Sequence, residues 1–221
     1  MIRAFDIIFS ATALLLLAPM FAILALILRF TGEGEILYFQ PRVGKDRSSF
    51  NIIKFATMKK ESPTMGAGTI TVKDDPRVLP VGRFLRRTKI NELPQIINIF
   101  RGDMSVIGPR PLTEDAYQYY SEEGVKFLTS VRPGLSGIGS IIFRDEERIL
   151  SRVSNPRDFH KRVIGPYKEL LETWSIQNMS LWTYFLFIFL TVHAVVFSKS
   201  KLVWRVFPSL PKPEDAIKDF L

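Results

Sequence analysis

Residues 86–111 read RRTKINELPQIINIFRGDMSVIGPRP, and the rest of the chain is arranged around them. The run predicts a helix opening near Glu92, with Asn91 as its cap and Pro94 in the first turn, where a missing N–H costs little. Leu93, Ile96, Ile97 and Phe100 recur at i, i+3, i+4 and i+7, so the spacing buries that face. Gly102 is placed to end the helix, and a tight segment with Asp103, Gly108 and Arg110 between prolines follows. An acid at a helix N-terminus beside a rigid loop carrying an arginine suits a metal-bound diphosphate. A capped surface helix followed by an ordinary turn fits the same residues, and spacing does not choose between the two.

Asn91-Glu92-Leu93-Pro94-Gln95, followed by Gly102-Asp103-Met104-Ser105 and Gly108-Pro109-Arg110-Pro111, resembles the signature of the bacterial sugar transferases. These are monotopic phosphoglycosyl transferases that initiate glycan assembly on a lipid carrier. Further blocks resemble the family in family order: Arg3-Ala4-Phe5-Asp6, Gln40-Pro41-Arg42-Val43-Gly44, Lys54-Phe55-Ala56-Thr57-Met58, Gly82-Arg83-Phe84-Leu85-Arg86 and Val131-Arg132-Pro133-Gly134. Each is weak alone; their order is specific.

The resemblance implies transfer of a phospho-sugar from a UDP-sugar to a polyprenyl phosphate, with Mg2+ and release of UMP. It places Lys54 near phosphate, and the leading reading gives Glu92 the role of nucleophile or metal ligand, with Asp103 supporting the site. Arg110 with Pro111, and Arg132 with Pro133 and Gly134, would hold the nucleotide diphosphate. Arg77 lies in another family-like string, Asp74-Asp75-Pro76-Arg77, and Arg86 in a basic amphipathic run suited to a carrier phosphate. Either feature could equally be a solvated turn or helix face.

The usual family pattern at the centre is Asp-Glu, with the Asp as a nucleophile that forms a covalent intermediate. Here that position is Asn91, whose neutral amide cannot serve. Three readings stay open: Glu92 takes over as nucleophile, transfer is direct with Glu92 as metal ligand or base, or the protein is a catalytically impaired membrane scaffold of the same fold. An active enzyme using Glu92 is the expectation. Ala56 also stands where the family commonly has Arg, and Ala18 where it has Ser before Pro19.

The 221 residues contain no Cys, only His160 and His193 as histidines, and a net charge of +8. Disulfides and Cys-ligated zinc are therefore excluded, and the basic excess suits an anionic membrane face and phosphorylated substrates. Nucleic acid is the rival partner for such charge, but the ordered motifs do not suggest it. There is no G-K-[ST] phosphate loop and no G-x-G-x-x-G, which disfavours a kinase or dehydrogenase.

Residues 7–28 carry no charge and are long enough to cross a bilayer, for which ~20 apolar residues suffice. Pro19 interrupts the hydrogen-bond ladder at the middle, and basic residues flank both ends, so the reading is a re-entrant helix with both ends cytoplasmic; a spanning helix is the alternative. Residues 35–40 and 50–55 read as paired strands, 61–68 as a surface loop, and 155–172 as an amphipathic helix in which Glu172 falls where relatives often carry an acid. Residues 181–197 form a second apolar run at the short end of the ~17–25 needed for a span, so membrane contact is expected.

The expected architecture is α+β: a re-entrant membrane helix at 1–30, a catalytic domain of short strands and several helices at 31–180, and an apolar membrane-associated helix with a basic tail at 181–221. The resemblance implies the cytoplasmic face of a bacterial inner membrane, with UDP-sugar, polyprenyl phosphate, membrane lipid and downstream glycosyltransferases as partners.

Overall fold

The computed structural model describes residues 1–62, 65, 75–197, 200–218 and 220. Most of the expected 61–68 loop, Asp74 and Lys199 lie outside them. Helix α1 (Ile2–Phe30) runs through Pro19 without leaving helical geometry. With 29 residues it is long and apolar enough to cross a membrane, and Leu15 and Leu16 near its middle are exposed. Both ends are nevertheless fixed to the rest of the protein. Arg3 donates to the carbonyls of Ile99 and Phe100, Asp6 is buried, and Leu28 packs with Phe55 and Leu85.

Strands β1 (Leu37–Val43) and β2 (Ser49–Phe55) pair antiparallel as expected, with Tyr38 opposite Lys54 and Arg42 opposite Phe50. Their turn places Asp46 and Arg47 at φ 54 and 58, a left-handed stretch stabilised by the Asp46 N–H donating to the Thr129 carbonyl. Helix α2 (Pro80–Arg87) starts on a proline, which suits the first helical turn.

The central stretch folds differently from its expected helix. A 3-10 turn, Ile90–Glu92, precedes α3 (Gln95–Arg101), whose N-cap position is Pro94. Asn91 therefore does not cap the helix; it is buried inside the turn. Ile96 is buried as expected, but the buried face takes in Ile99 and leaves Phe100 47% exposed, which departs from the expected stripe. Asn98 on the same inner face donates to the Asn51 carbonyl and accepts from the Ile53 N–H, which clamps α3 to β2. Gly102 ends the helix at φ 99, as expected for a left-handed C-terminal glycine.

Strand β3 (Ser105–Ile107) then pairs in parallel with β4 (Gly134–Ser136), with α4 (Glu122–Leu128) and a 3-10 turn, Glu114–Tyr119, between them. This ladder brings the Gly108 and Gly134 loops together, and a Cβ on Gly108 would sit 2.6 Å from the Arg132 carbonyl oxygen. Helices α5 (Ile138–Ile142), α6 (Glu146–Leu150) and α7 (Pro156–Phe159) lead into a π-helical turn, His160–Ile164, and α8 (Gly165–Gln177).

Helix α9 (Leu181–Val196), α10 (Leu202–Val206) and α11 (Asp215–Lys218) complete the chain. The region after residue 180 is not detached from the domain: Tyr184, Phe187, Leu190, Val203, Leu210 and Ile217 share one core with Leu171 and Ile138. The opposite face of α9 exposes Trp182, Phe189, Val192 and Val196. The 208–213 segment packs back too, since Tyr167 donates to the Pro211 carbonyl.

Candidate active site

Residues from three separate segments converge on Glu92. The β1–β2 register puts Lys54 beside Tyr38, and side chains two residues apart share a face, so Tyr38, Gln40 and Arg42 line the same side. Lys54 Nζ lies 3.5 Å from Glu92 Oε1, and Arg110 Nη2 lies 2.9 Å from the same oxygen. Lys54 and Glu92 are 17% and 16% exposed, Arg110 44%. Glu92 Oε2 has no hydrogen-bond partner among the described residues.

Arg42 is the residue that the sequence reading passed over as a site member. Its Nη2 donates to Gln40 Oε1 at 2.6 Å, while its buried Nε–H has no partner among the described residues. The signal was the alternation Tyr38, Gln40, Arg42 along β1, readable only once Lys54 is known to face Tyr38.

The electrostatics show more positive than negative charge. Burial lowers Arg42 to about 10, assisted by neighbouring Arg110 and opposed by Tyr38 and Glu92. Burial lowers Lys54 to about 8, with Glu92 opposing and Arg110 and Arg42 adding to the fall. Burial would raise the Glu92 carboxyl, but Arg110, Lys54 and Lys89 outweigh it and hold it well below the usual carboxylate range. Three cations thus surround one carboxylate in a half-enclosed site. Uncompensated buried charge is costly, and an anion with several oxygens relieves it.

The remaining expected residues are distributed around this cluster. Asn91 is 5% exposed beside Glu92. Asp103 accepts from Asn98 Nδ2 at 3.1 Å and makes no contact with Glu92 among the described residues. Pro111, Pro133 and Gly134 are buried along the two paired loops. Arg132 is exposed and donates through Nε to the Gly102 carbonyl at 2.8 Å. Arg86 reaches Met58 Sδ at 3.8 Å. Arg77 is 4% exposed and binds Asp75 at 2.7 Å together with the carbonyls of Ser62 and Met65. Lys54, Glu92 and Arg110 are therefore brought together, and Arg77, Asp103 and Arg132 are engaged elsewhere.

Glu172 and Glu146 are two further acids outside the cluster. Glu172 accepts from the Gly139 N–H at 3.1 Å, and burial raises its carboxyl to about 8. Glu146 binds Lys168 at 2.6 Å and His160 at 3.1 Å, and its field reaches Arg110.

The family model for bacterial sugar transferases matches residues 1–198. The chain belongs to that family. Among relatives of this bacterial sugar transferase, the exopolysaccharide production protein ExoY of Rhizobium meliloti (strain 1021) is 33% identical over 211 residues, covering 89% of this chain and 86% of ExoY. The undecaprenyl-phosphate glucose phosphotransferase of Komagataeibacter xylinus is 34% identical, covering 90% of this chain but 36% of that protein. The UDP-glucose:undecaprenyl-phosphate glucose-1-phosphate transferase of Escherichia coli (strain K12) is 33% identical, covering 86% and 39%. The chain thus spans most of ExoY and well under half of the two phosphotransferases. Family membership makes it a transferase of the phosphoglycosyl kind.

Proposed function

We propose that this sugar transferase moves a sugar-1-phosphate from a UDP-sugar to polyprenyl phosphate, releasing UMP, at the cytoplasmic face of a bacterial inner membrane. The step initiates assembly of a glycan. The observation that carries the reading is the surplus of cations, Arg42, Lys54 and Arg110, around the single carboxylate of Glu92. A diphosphate supplies the missing negative charge.

In the resting site Glu92 holds Lys54 and Arg110 where diphosphate oxygens will lie. The incoming diphosphate takes these two cations and the partnerless Nε–H of Arg42. An oxygen of the acceptor phosphate attacks the sugar-bearing phosphorus, and the P–O bond to the UMP phosphate breaks. Both acceptor and leaving group are phosphate anions, so charge balances without a proton transfer. Direct attack is favoured over attack by the protein, because the family's nucleophile position holds Asn91, a neutral amide, and Glu92 is the carboxylate left to hold a metal.

The residues fit a Mg2+ that arrives with the diphosphate. Among the described residues no group of three His, Cys, Asp or Glu forms a protein-only cage, and Mg2+ is commonly held by one or two carboxylates plus substrate phosphates. Glu92 would hold it through Oε2, and the ion would neutralise diphosphate charge. A catalytically impaired scaffold gains no support: the charged cluster is complete around Glu92.

Helix α1 serves this reaction as a re-entrant anchor. Asp6 and Leu28 both pack on the domain, yet a straight helix would separate them by about 33 Å, roughly a bilayer core. Leaving and returning at one face satisfies both contacts, and the exposed face of α9 adds apolar surface for lipid. The test is UMP release by nanodisc-held protein given a panel of UDP-sugars. Release that needs polyprenyl phosphate and a divalent cation supports the reading; silence across the panel contradicts it.

A further inference from the structure

Asp6 is 2% exposed although it belongs to the apolar helix α1. Its carboxylate accepts from three donors on two other elements. The Ser105 hydroxyl lies 2.9 Å from both oxygens, the Val106 N–H donates at 2.9 Å, and the Tyr184 hydroxyl of α9 donates at 2.8 Å. A buried carboxylate is tolerated only when it is saturated in this way.

The position of these donors matters more than their number. Ser105 and Val106 begin β3, a strand of three residues that runs directly into Gly108, Pro109 and Arg110. The strand has one pairing partner, β4, and its side facing α1 is fixed by Asp6. Arg110 is the cation closest to Glu92. From Asp6 to the site there is thus one short, rigid segment with a carboxylate clamp at one end and the diphosphate-facing guanidinium at the other. Arg3 adds a second tie, from the same helical turn to the end of α3.

We propose that Asp6 is a positioning residue for Arg110: it sets the β3 segment against the seat of the membrane helix, so that anchor and diphosphate site move as one unit. Its kinetic readout rests on the transferase function proposed above; its structural readout does not. Tyr184 belongs to the same device, because it ties α9 to the same carboxylate.

The experiment uses full-length protein in nanodiscs, with Asp6→Asn and, as a milder change, Ser105→Ala. Hydrogen exchange is followed along the backbone, and UDP affinity is measured by calorimetry in wild-type and Arg110→Gln backgrounds. The expected result is faster exchange concentrated at 105–110, and UDP affinity reduced on the order of tenfold in the wild-type background but less than about twofold once Arg110 is gone. A purely structural role would weaken binding by the same factor in both backgrounds, and that outcome overturns the proposal. Unchanged exchange at 105–110 in both variants overturns it as well. If Asp6→Asn fails to fold, Ser105→Ala decides by the same two criteria. Absence of UMP release with any donor, together with the expected exchange pattern, would count against the transferase reading and leave the Asp6 clamp standing.

Discussion

Arg110 Nη2 sits 2.9 Å from Glu92 Oε1, a contact between residues eighteen positions apart that joins the Gly108–Pro111 loop to the 3-10 turn before α3. Lys54 approaches the same oxygen from β2. The contact is ionic and half-exposed, so its worth lies in geometry: it keeps the guanidinium aimed at the place where a diphosphate oxygen is read to bind.

Arg110→Gln should therefore reduce kcat/KM for the UDP-sugar on the order of a hundredfold, because one charge-stabilising donor is lost from a partly enclosed site. Steady-state UMP release measures this, and a change of less than about threefold would remove Arg110 from the site.

Arg42→Gln tests the residue found only through the hairpin register. Its buried Nε–H, without a partner among the described residues, predicts about a tenfold weaker UDP affinity, with a modest loss of stability because the Nη2–Gln40 hydrogen bond is the contact removed within the protein. Calorimetric titration and a melting curve separate the two effects.

Lys54, lowered to about 8, gives a pH signature. At pH 8 about half of the free sites carry a neutral amine, and a bound diphosphate raises that amine's pKa. UDP binding near pH 8 should then take up about half a proton, with affinity falling as pH rises further. Calorimetry in buffers of different ionisation enthalpy reads the uptake, which Lys54→Arg should abolish.

Glu172 predicts the opposite kind of pH effect, on stability. Its folded carboxyl is raised from an ordinary 4.5 to about 8, chiefly by burial, with the Gly139 N–H and Lys168 opposing. The folded state therefore binds more protons than the unfolded one inside that window, and stability falls as pH rises from 4.5 towards 8. Glu172→Gln should melt higher than wild type at pH 8, and the advantage should shrink towards pH 5. Equal slopes for both proteins would contradict the assignment.

The parts of this molecule legible in its sequence are those set by local chemistry. The length and apolarity of α1, the two strands around residues 44–48, and the stop at Gly102 with its left-handed φ all follow from residue type. The family blocks identified Glu92, Lys54 and Arg110, which the fold brings together. What sequence did not give depends on offsets of a few residues. The helix expected at Glu92 starts at Gln95, and its buried face takes in Ile99 rather than Phe100. Arg42 needed the strand register, and the pairing of Arg77 with Asp75 two residues away lies in a turn whose burial composition does not reveal.

The most direct test of the account is a rapid-quench measurement of UMP release from the matching UDP-sugar, with and without polyprenyl phosphate, for wild type and Glu92→Gln. Direct transfer predicts release by wild type only when the acceptor is present, no sugar-phosphate left on the protein, and a rate in Glu92→Gln below about one hundredth of wild type. A burst of UMP without acceptor, equal to the enzyme concentration and leaving sugar-phosphate attached to the chain, would contradict direct transfer. A Glu92→Gln variant as fast as wild type would contradict the site itself.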